Sequence, residues 1–293
     1  MTITRTSSRG LRTAVPPAAL TWAALYGAVR VWFALGNHPD WEFPGGDLLV
    51  PNWVAVLGCV ASAAAVLAIR RRPSSRLVIR TLWLLAAGWT AAAGLALLDV
   101  VGGVLPGLGI PFDPPGMVSR FAALAGAALL AGTAAVHQRR LGPGRRFHEI
   151  PTWAVVGAWA AVAGCLVRLG AQAVVGFDRT PYGAGISLIV FEGGFLLAGI
   201  VLPLLLVYRL GRIFPRWMLL LPGACLGGGI SAYFGVGLLQ MIAAAVKGDP
   251  VYGDIGLPNA FFWVAVPAYL VWGAGLAVAT YGYYLTRSAA LAE

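Results

Sequence analysis

PTWAVVGAWAAVAGCLVRLGAQA, residues 151–173, decides the fold. It opens on a proline and carries a single charged residue, Arg168. Otherwise it stays apolar or small for as long as a helix needs to cross a bilayer, about 20 residues. Proline suits the start of such a helix, where a first-turn N–H has no intrahelical acceptor to lose. Pro51, Pro215 and Pro258 stand at the head of similar runs. The whole chain repeats the pattern: roughly 17–36, 51–69, 81–102, 117–136, 151–173, 185–207, 218–245 and 259–284. The sequence therefore predicts an all-α, polytopic membrane bundle of about eight spans.

Composition agrees. Of 293 residues, 59% are hydrophobic and 11% charged, where a soluble domain carries about 25% charged residues. No soluble fold of this size hides so much apolar surface, so lipid has to cover it. The short connections leave no room for a soluble domain, and 1–293 reads as one integral-membrane domain, with a basic tail over 1–16, the bundle over 17–284 and a second tail over 285–293. The apolar run from about Pro17 to Leu35 is long enough to span, and no small-residue cleavage site follows it. It reads as a retained first helix.

The formal net charge of +10 would suit nucleic acid, but its distribution points elsewhere. Arg5, Arg9 and Arg12 precede the first span, and Arg70, Arg71, Arg72, Arg76 and Arg80 follow the second. Arg139, Arg140, Arg145 and Arg146 follow the fourth, Arg209, Arg212 and Arg216 the sixth, and Arg287 the last. With eight spans all of these fall on one side, leaving Arg179 and Lys247 opposite. The positive side is cytoplasmic, which places the protein in the cell membrane with both termini inside and no nucleic-acid partner. Cys59, Cys165 and Cys225 lie in apolar runs without metal or disulfide spacing, and His38, His137 and His148 are scattered, so no metal or other cofactor is expected.

The acids lie on the other side. Asp40, Glu42, Asp47, Asp113, Asp178, Asp249 and Asp254 fall in outer loops. Asp99 falls near the outer end of the third span, and Glu192 about 10 Å into the sixth. Arg30, Arg120 and Arg168 break the inside rule by lying within spans, each toward the outer end. A charge inside a span costs at least about 2.5 kcal/mol and normally pairs, faces the bundle interior or lines a wet cavity. Arg30, Asp99, Arg120, Arg168 and Glu192 therefore read as one shared outer site, with Gln172 and Gln240 near in depth. The same arginines also read as interface snorkels or as inter-helix pairs that fix the bundle. Glu192, too short to snorkel and set among small residues in IVFEGGFLLAG, is the strongest functional candidate.

Aromatics are the second signal. Trp41, Trp53, Trp153 and Trp217 suit the interface belts, while Trp22, Tyr26, Trp32, Trp89, Trp159, Tyr233, Trp263, Tyr269 and Trp272 lie within spans. Most suit packing or lipid contact. Rings around an acid also suit carbocation chemistry, since aromatic faces stabilise cations and burial keeps an acid protonated. There is no GxxxxGK[ST], HExxH, GxSxG or CxxC, no pair of aspartate-rich motifs for magnesium diphosphate and no DxDD.

YGAVRVWFALG (26–36), SRFAALAGAALLAGTAA (119–135), CLVRLGAQ (165–172), FEGGFLLAGIVLPL (191–204), SAYFGVGLLQ (231–240) and FFWVAVPAYLVWG (261–273) resemble segments of actinobacterial integral-membrane proteins of this size. The chain is similar to the membrane-bound terpene cyclases of indole-sesquiterpenoid and drimentine-type natural-product pathways, which are analogous to fungal integral-membrane meroterpenoid cyclases. That resemblance implies metal-independent protonation of a prenyl chain, cation cyclisation and deprotonation, on a hydrophobic prenylated indole or cyclic dipeptide held in the lipid. On this reading Glu192 or Asp99, with Asp47 in reserve, delivers the proton. Arg30, Arg120 and Arg168 hold the acids. Trp32, Tyr233, Trp263 and Tyr269, with Gln240, line the substrate site. The other reading is a transporter or permease subunit whose charges couple protons or substrate.

Overall fold

The computed structural model describes residues 7–43, 46–105, 108–142, 147–177, 186–248 and 257–286. Arg5, Arg145, Arg146, Asp178, Arg179, Asp249, Asp254, Arg287 and Glu293 lie outside them. The described residues are helical throughout, apart from connections and an isolated bridge between Phe147 and Thr286. The protein is an all-α, polytopic helical bundle.

The elements are α1 (Ser7–Ala34), α2 (Asn52–Arg71), α3 (Arg76–Ala92), α4 (Ala96–Val104), α5 (Pro114–Gln138), α6 (Thr152–Val175), α7 (Ile186–Leu196), α8 (Leu202–Val207), α9 (Arg216–Lys247) and α10 (Asn259–Leu285). Pro51, Pro151, Pro215 and Pro258 each occupy the position just before a helix, as the sequence predicts. Among the described residues six helices are long and apolar enough to cross a membrane, or seven if α3 and α4 form one bent span. α7 and α8 count as one of the six, joined by a π turn at Leu197–Val201. α1 is not in that set, and it starts at Ser7 rather than 17, running through Pro16 and Pro17. The expected third span over 81–102 is interrupted between Ala92 and Ala96, where the loop amide of Leu49 takes the Ala92 carbonyl.

The chain forms two compact units, Met1–Ala96 with Asp113–Gly144 and Leu97–Phe112 with Arg145–Glu293. In the first, α1 packs on α2 and α5, and α3 packs on α2 and α5. Ala19, Cys59, Val66, Ile69, Leu82, Trp89, Ala123 and Leu130 make its core. The Trp22 indole lies over Gly126 so closely that a Cβ there would sit 1.9 Å from the ring. Trp22 donates to the Ala122 carbonyl at 2.8 Å.

In the second unit α10 is central, packed on α6, α8 and α9. Small residues set that spacing, as membrane helix packing requires. A Cβ on Gly164 would stand 2.5 Å from the Ala268 carbonyl oxygen, and one on Gly275 2.5 Å from that of Gly157. Ala158, Ala161, Cys165, Leu206, Trp272 and Leu276 fill the core. Large apolar side chains such as Leu25, Leu57, Leu84 and Ile189 point outward, where lipid suits them.

Candidate functional site

Arg30, Arg120 and Arg168 are buried and each is ion-paired, the first two within the first unit and the third within the second. In the first, Tyr26 and Arg30 share a face of α1 at i,i+4 spacing. The Arg30 guanidinium grips Asp47 on two prongs, Nη1 to Oδ1 at 3.0 Å and Nη2 to Oδ2 at 2.6 Å. It also donates to Asn52 Oδ1 at 3.0 Å, to the Tyr26 hydroxyl and to Ser119 Oγ. Arg120 on α5 donates through Nε to the Asp47 backbone carbonyl at 2.7 Å and through Nη2 to Asp113 at 2.9 Å. Asp113 caps the start of α5 through the Gly116 amide. Its ring neighbours complete the seal: Arg30 lies over Tyr26 and Phe33, Arg120 over Phe43.

This network straps the α1–α2 connection to two helices. Its acids are closed off, with 4% of the Asp47 side chain and 1% of the Asp113 side chain accessible. Burial alone would push the Asp47 carboxyl up, but the hydrogen bonds and charge of Arg30 hold it below the ordinary carboxylate range. Asp47 is thus held as the charged partner of Arg30 and straps the loop to α1 and α5.

The second unit holds the open network. Arg168 on α6 donates through Nη1 to Glu192 Oε2 at 2.7 Å and through Nε to the Tyr269 hydroxyl of α10 at 2.7 Å. Here 20% of the Glu192 side chain is accessible. Gly193 and Gly194 follow it, and a Cβ on either would meet nothing within 4 Å. Four rings gather beside the pair. Phe195 stands 5.0 Å from Trp272 and 5.8 Å from Tyr269, and Phe234 stacks on Tyr269 at 3.9 Å. Arg168 lies over Phe195 at 5.1 Å and over Tyr269 at 5.6 Å, so a protein cation already occupies these faces.

The π turn fixes this arrangement. Pro203 has no N–H, which frees a carbonyl one turn back, and the Trp272 indole donates to the Ala198 carbonyl at 3.4 Å. Gly199 lets Cys165 and Trp272 approach, a Cβ there falling 2.3 Å from Cys165 Sγ. π turns of this kind recur at functional sites.

The remaining candidates divide. Tyr269 belongs to the site, and Tyr233 packs half-buried against Phe234 at 4.9 Å. Asp99 is buried in the first turn of α4, within the second unit. Trp32 is 59% exposed and Trp263 41% exposed, and Gln240 is exposed as well. Each of the three falls on an exposed face of its helix. Gln172 binds the Gly176 carbonyl at 2.9 Å and closes the end of α6. Asp113, Ser119, Phe195 and Phe234 were not among the predicted site residues. Only Asp113 carried a signal, an N-cap aspartate before two prolines. Among the described residues no three His, Cys, Asp or Glu side chains gather as a metal ion would require. No family model, curated protein or solved structure matches the chain.

Proposed function

We propose that the chain is a membrane-embedded terpene cyclase, acting on a prenyl chain attached to an indole or a cyclic dipeptide, with its site at Glu192 in the second unit. The observation that carries this reading is the half-open Glu192 carboxylate beside the rings of Phe195, Phe234, Tyr269 and Trp272. In such a reaction a proton adds to the terminal alkene, forming a C–H bond and a tertiary cation. Neighbouring π bonds close the rings, and a final C–H bond yields its proton to a base. Glu192, ion-paired to Arg168, suits the last step, as proton acceptor. Asp99, buried in the same unit, is the candidate donor. Phe234, whose ring Arg168 does not cover, lowers the energy of an intermediate cation by about 0.5–2 kcal/mol. On the same reading the protein lies in the cell membrane with its arginine-rich connections in the cytoplasm, and its partners are lipid and the prenylated substrate.

The test uses membranes carrying wild type, Glu192→Gln and Asp99→Asn, given prenylated indoles and prenylated cyclic dipeptides, with products read by mass and retention. The amide preserves shape and hydrogen bonding but neither takes nor gives the proton. Each variant is expected to lose about 10²-fold or more in cyclisation. Full activity in Glu192→Gln overturns its role.

One observation favours a transporter as the second reading. Arg168 and Glu192 form an ion pair between α6 and α7 next to a π turn, a combination that also suits a coupling site. Substrate flux in proteoliposomes without product formation would select it.

A further inference from the structure

Arg168 has more donors than the protein uses. Nε serves Tyr269 and Nη1 serves Glu192. Among the described residues Nη2 has no acceptor, and it is not one of the sealed orphan atoms, a set that holds Arg30 Nε and Ser231 Oγ. A planar guanidinium presents two N–H bonds at that nitrogen. The side chain is 7% accessible and that of its partner Glu192 20%, so the pair is not sealed. The group is also held rigidly, by a hydrogen bond at Nε, an ion pair at Nη1 and ring faces at Phe195 and Tyr269. A fixed donor edge that is only part-used, beside a part-accessible carboxylate, suits an oxygen acceptor.

Charge decides which acceptor. Arg168 and Glu192 together are neutral. An anion on Nη2 would leave the cluster at net −1 in a low-dielectric setting, beside a carboxylate it repels. A cation would meet a guanidinium already seated on the ring faces. A neutral carbonyl or hydroxyl takes the hydrogen bond at no such cost. We infer that Arg168 Nη2 anchors the oxygen of a neutral, lipid-soluble ligand, whose apolar chain lies along the rings of Phe195, Phe234 and Tyr269. This rests on the second unit's site being the working one, as proposed above. It adds the head-group class, to which the amide carbonyls of a cyclic dipeptide belong.

Three probes with the same apolar tail test it on the full chain in detergent micelles: geranylacetone, a neutral ketone; geranic acid, an anion; and geranylamine, a cation. Binding is read by quenching of intrinsic tryptophan fluorescence and by calorimetry. The ketone is expected to bind about tenfold more tightly than either charged probe, the discrimination of one charge-assisted hydrogen bond. Arg168→Gln combined with Glu192→Gln keeps the cluster neutral and is expected to lose that margin while retaining helix content by circular dichroism. Equal or tighter binding of geranic acid overturns the inference, and so does an unchanged ketone affinity in the double variant. Binding of none of the three overturns it as well. Head-group selectivity in the wild type answers the question even where the double variant fails to fold. Ketone selectivity without turnover of prenylated indoles or prenylated cyclic dipeptides keeps the anchor and removes the cyclase reading. Turnover with no head-group selectivity removes the anchor alone.

Discussion

Asp47 works through both its side chain and its backbone. Its carboxylate neutralises Arg30 and its carbonyl takes Arg120, so one loop residue satisfies cations from two helices. Asp47→Asn keeps the carbonyl contact but leaves Arg30 as a buried charge without a counter-ion. Removing one partner of a buried pair costs about 3–5 kcal/mol. The unfolding midpoint of the purified protein should fall accordingly, and a change within error would show the pair to be dispensable. The sign with pH follows from the depressed carboxyl. Its contribution is fully present above the unfolded-state value of about 3.9 and is lost as pH falls through the lower folded value. Wild type should therefore lose stability below about pH 4, and Asp47→Asn should lose less over the same range. The sequence shows that these arginines need partners, because a charge in a span is costly wherever it sits. It does not show which partners. Asp47 lies 17 residues from Arg30 across a loop, and Asp113 reads as an ordinary outer-loop acid until the helix that follows brings it two turns below Arg120.

At the level of the element, the four proline-headed helix starts were legible, while the start of α1 and the helix interruptions were not. Pro51, Pro151, Pro215 and Pro258 announce four helices because proline withdraws an N–H that a first turn does not use. The break after Ala92 falls inside an unbroken apolar run, and hydropathy is blind to it. The π turn is equally silent, since Gly199 and Pro203 also occur in ordinary membrane helices. The glycines of α6 and α10, by contrast, declare close packing from the sequence and make it in the fold. Gly164 is the sharpest case, lying against backbone atoms of Ala268 and Trp272. Backbone cannot rotate away, so Gly164→Leu must push α6 from α10. That shift would also move Arg168, one turn further along α6, from the Tyr269 hydroxyl. The variant should lose stability and also ketone binding, whereas Gly170→Ala, where a Cβ meets nothing within 4 Å, should leave both unchanged. Loss of stability in Gly164→Leu without loss of binding would separate the helix contact from the site.

For the whole molecule the open quantity is the number of crossings, and it turns on α1. Residues 7–34 of α1 make 28 residues, about 42 Å of helix against a hydrocarbon core of about 30 Å. Length therefore suffices, and average hydropathy is what keeps α1 out of the spanning set. Hydropathy charges α1 the full penalty for Arg30, as though the guanidinium met lipid. In the fold Arg30 is wholly buried and ion-paired to Asp47. Most of the penalty attached to a lipid-facing arginine does not arise for such a group. Counting α1, and taking α3 with α4 as one bent crossing, brings the total to the eight that the sequence predicts. It then puts the arginines at 70–80, 139–140 and 209–216 on a single side. Leaving α1 on the surface would put its leading residues, Arg9 and Arg12 among them, opposite those clusters, against the positive-inside rule. Reporters placed at 72–75, at Gly142 and after Glu293 should read cytoplasmic, and reporters at 37–40 and at Gly176 should read external. The deciding pair is the reporter at 37–40 and one fused ahead of Ser7. Opposite sides for that pair make α1 a full crossing, and the same side for both leaves seven.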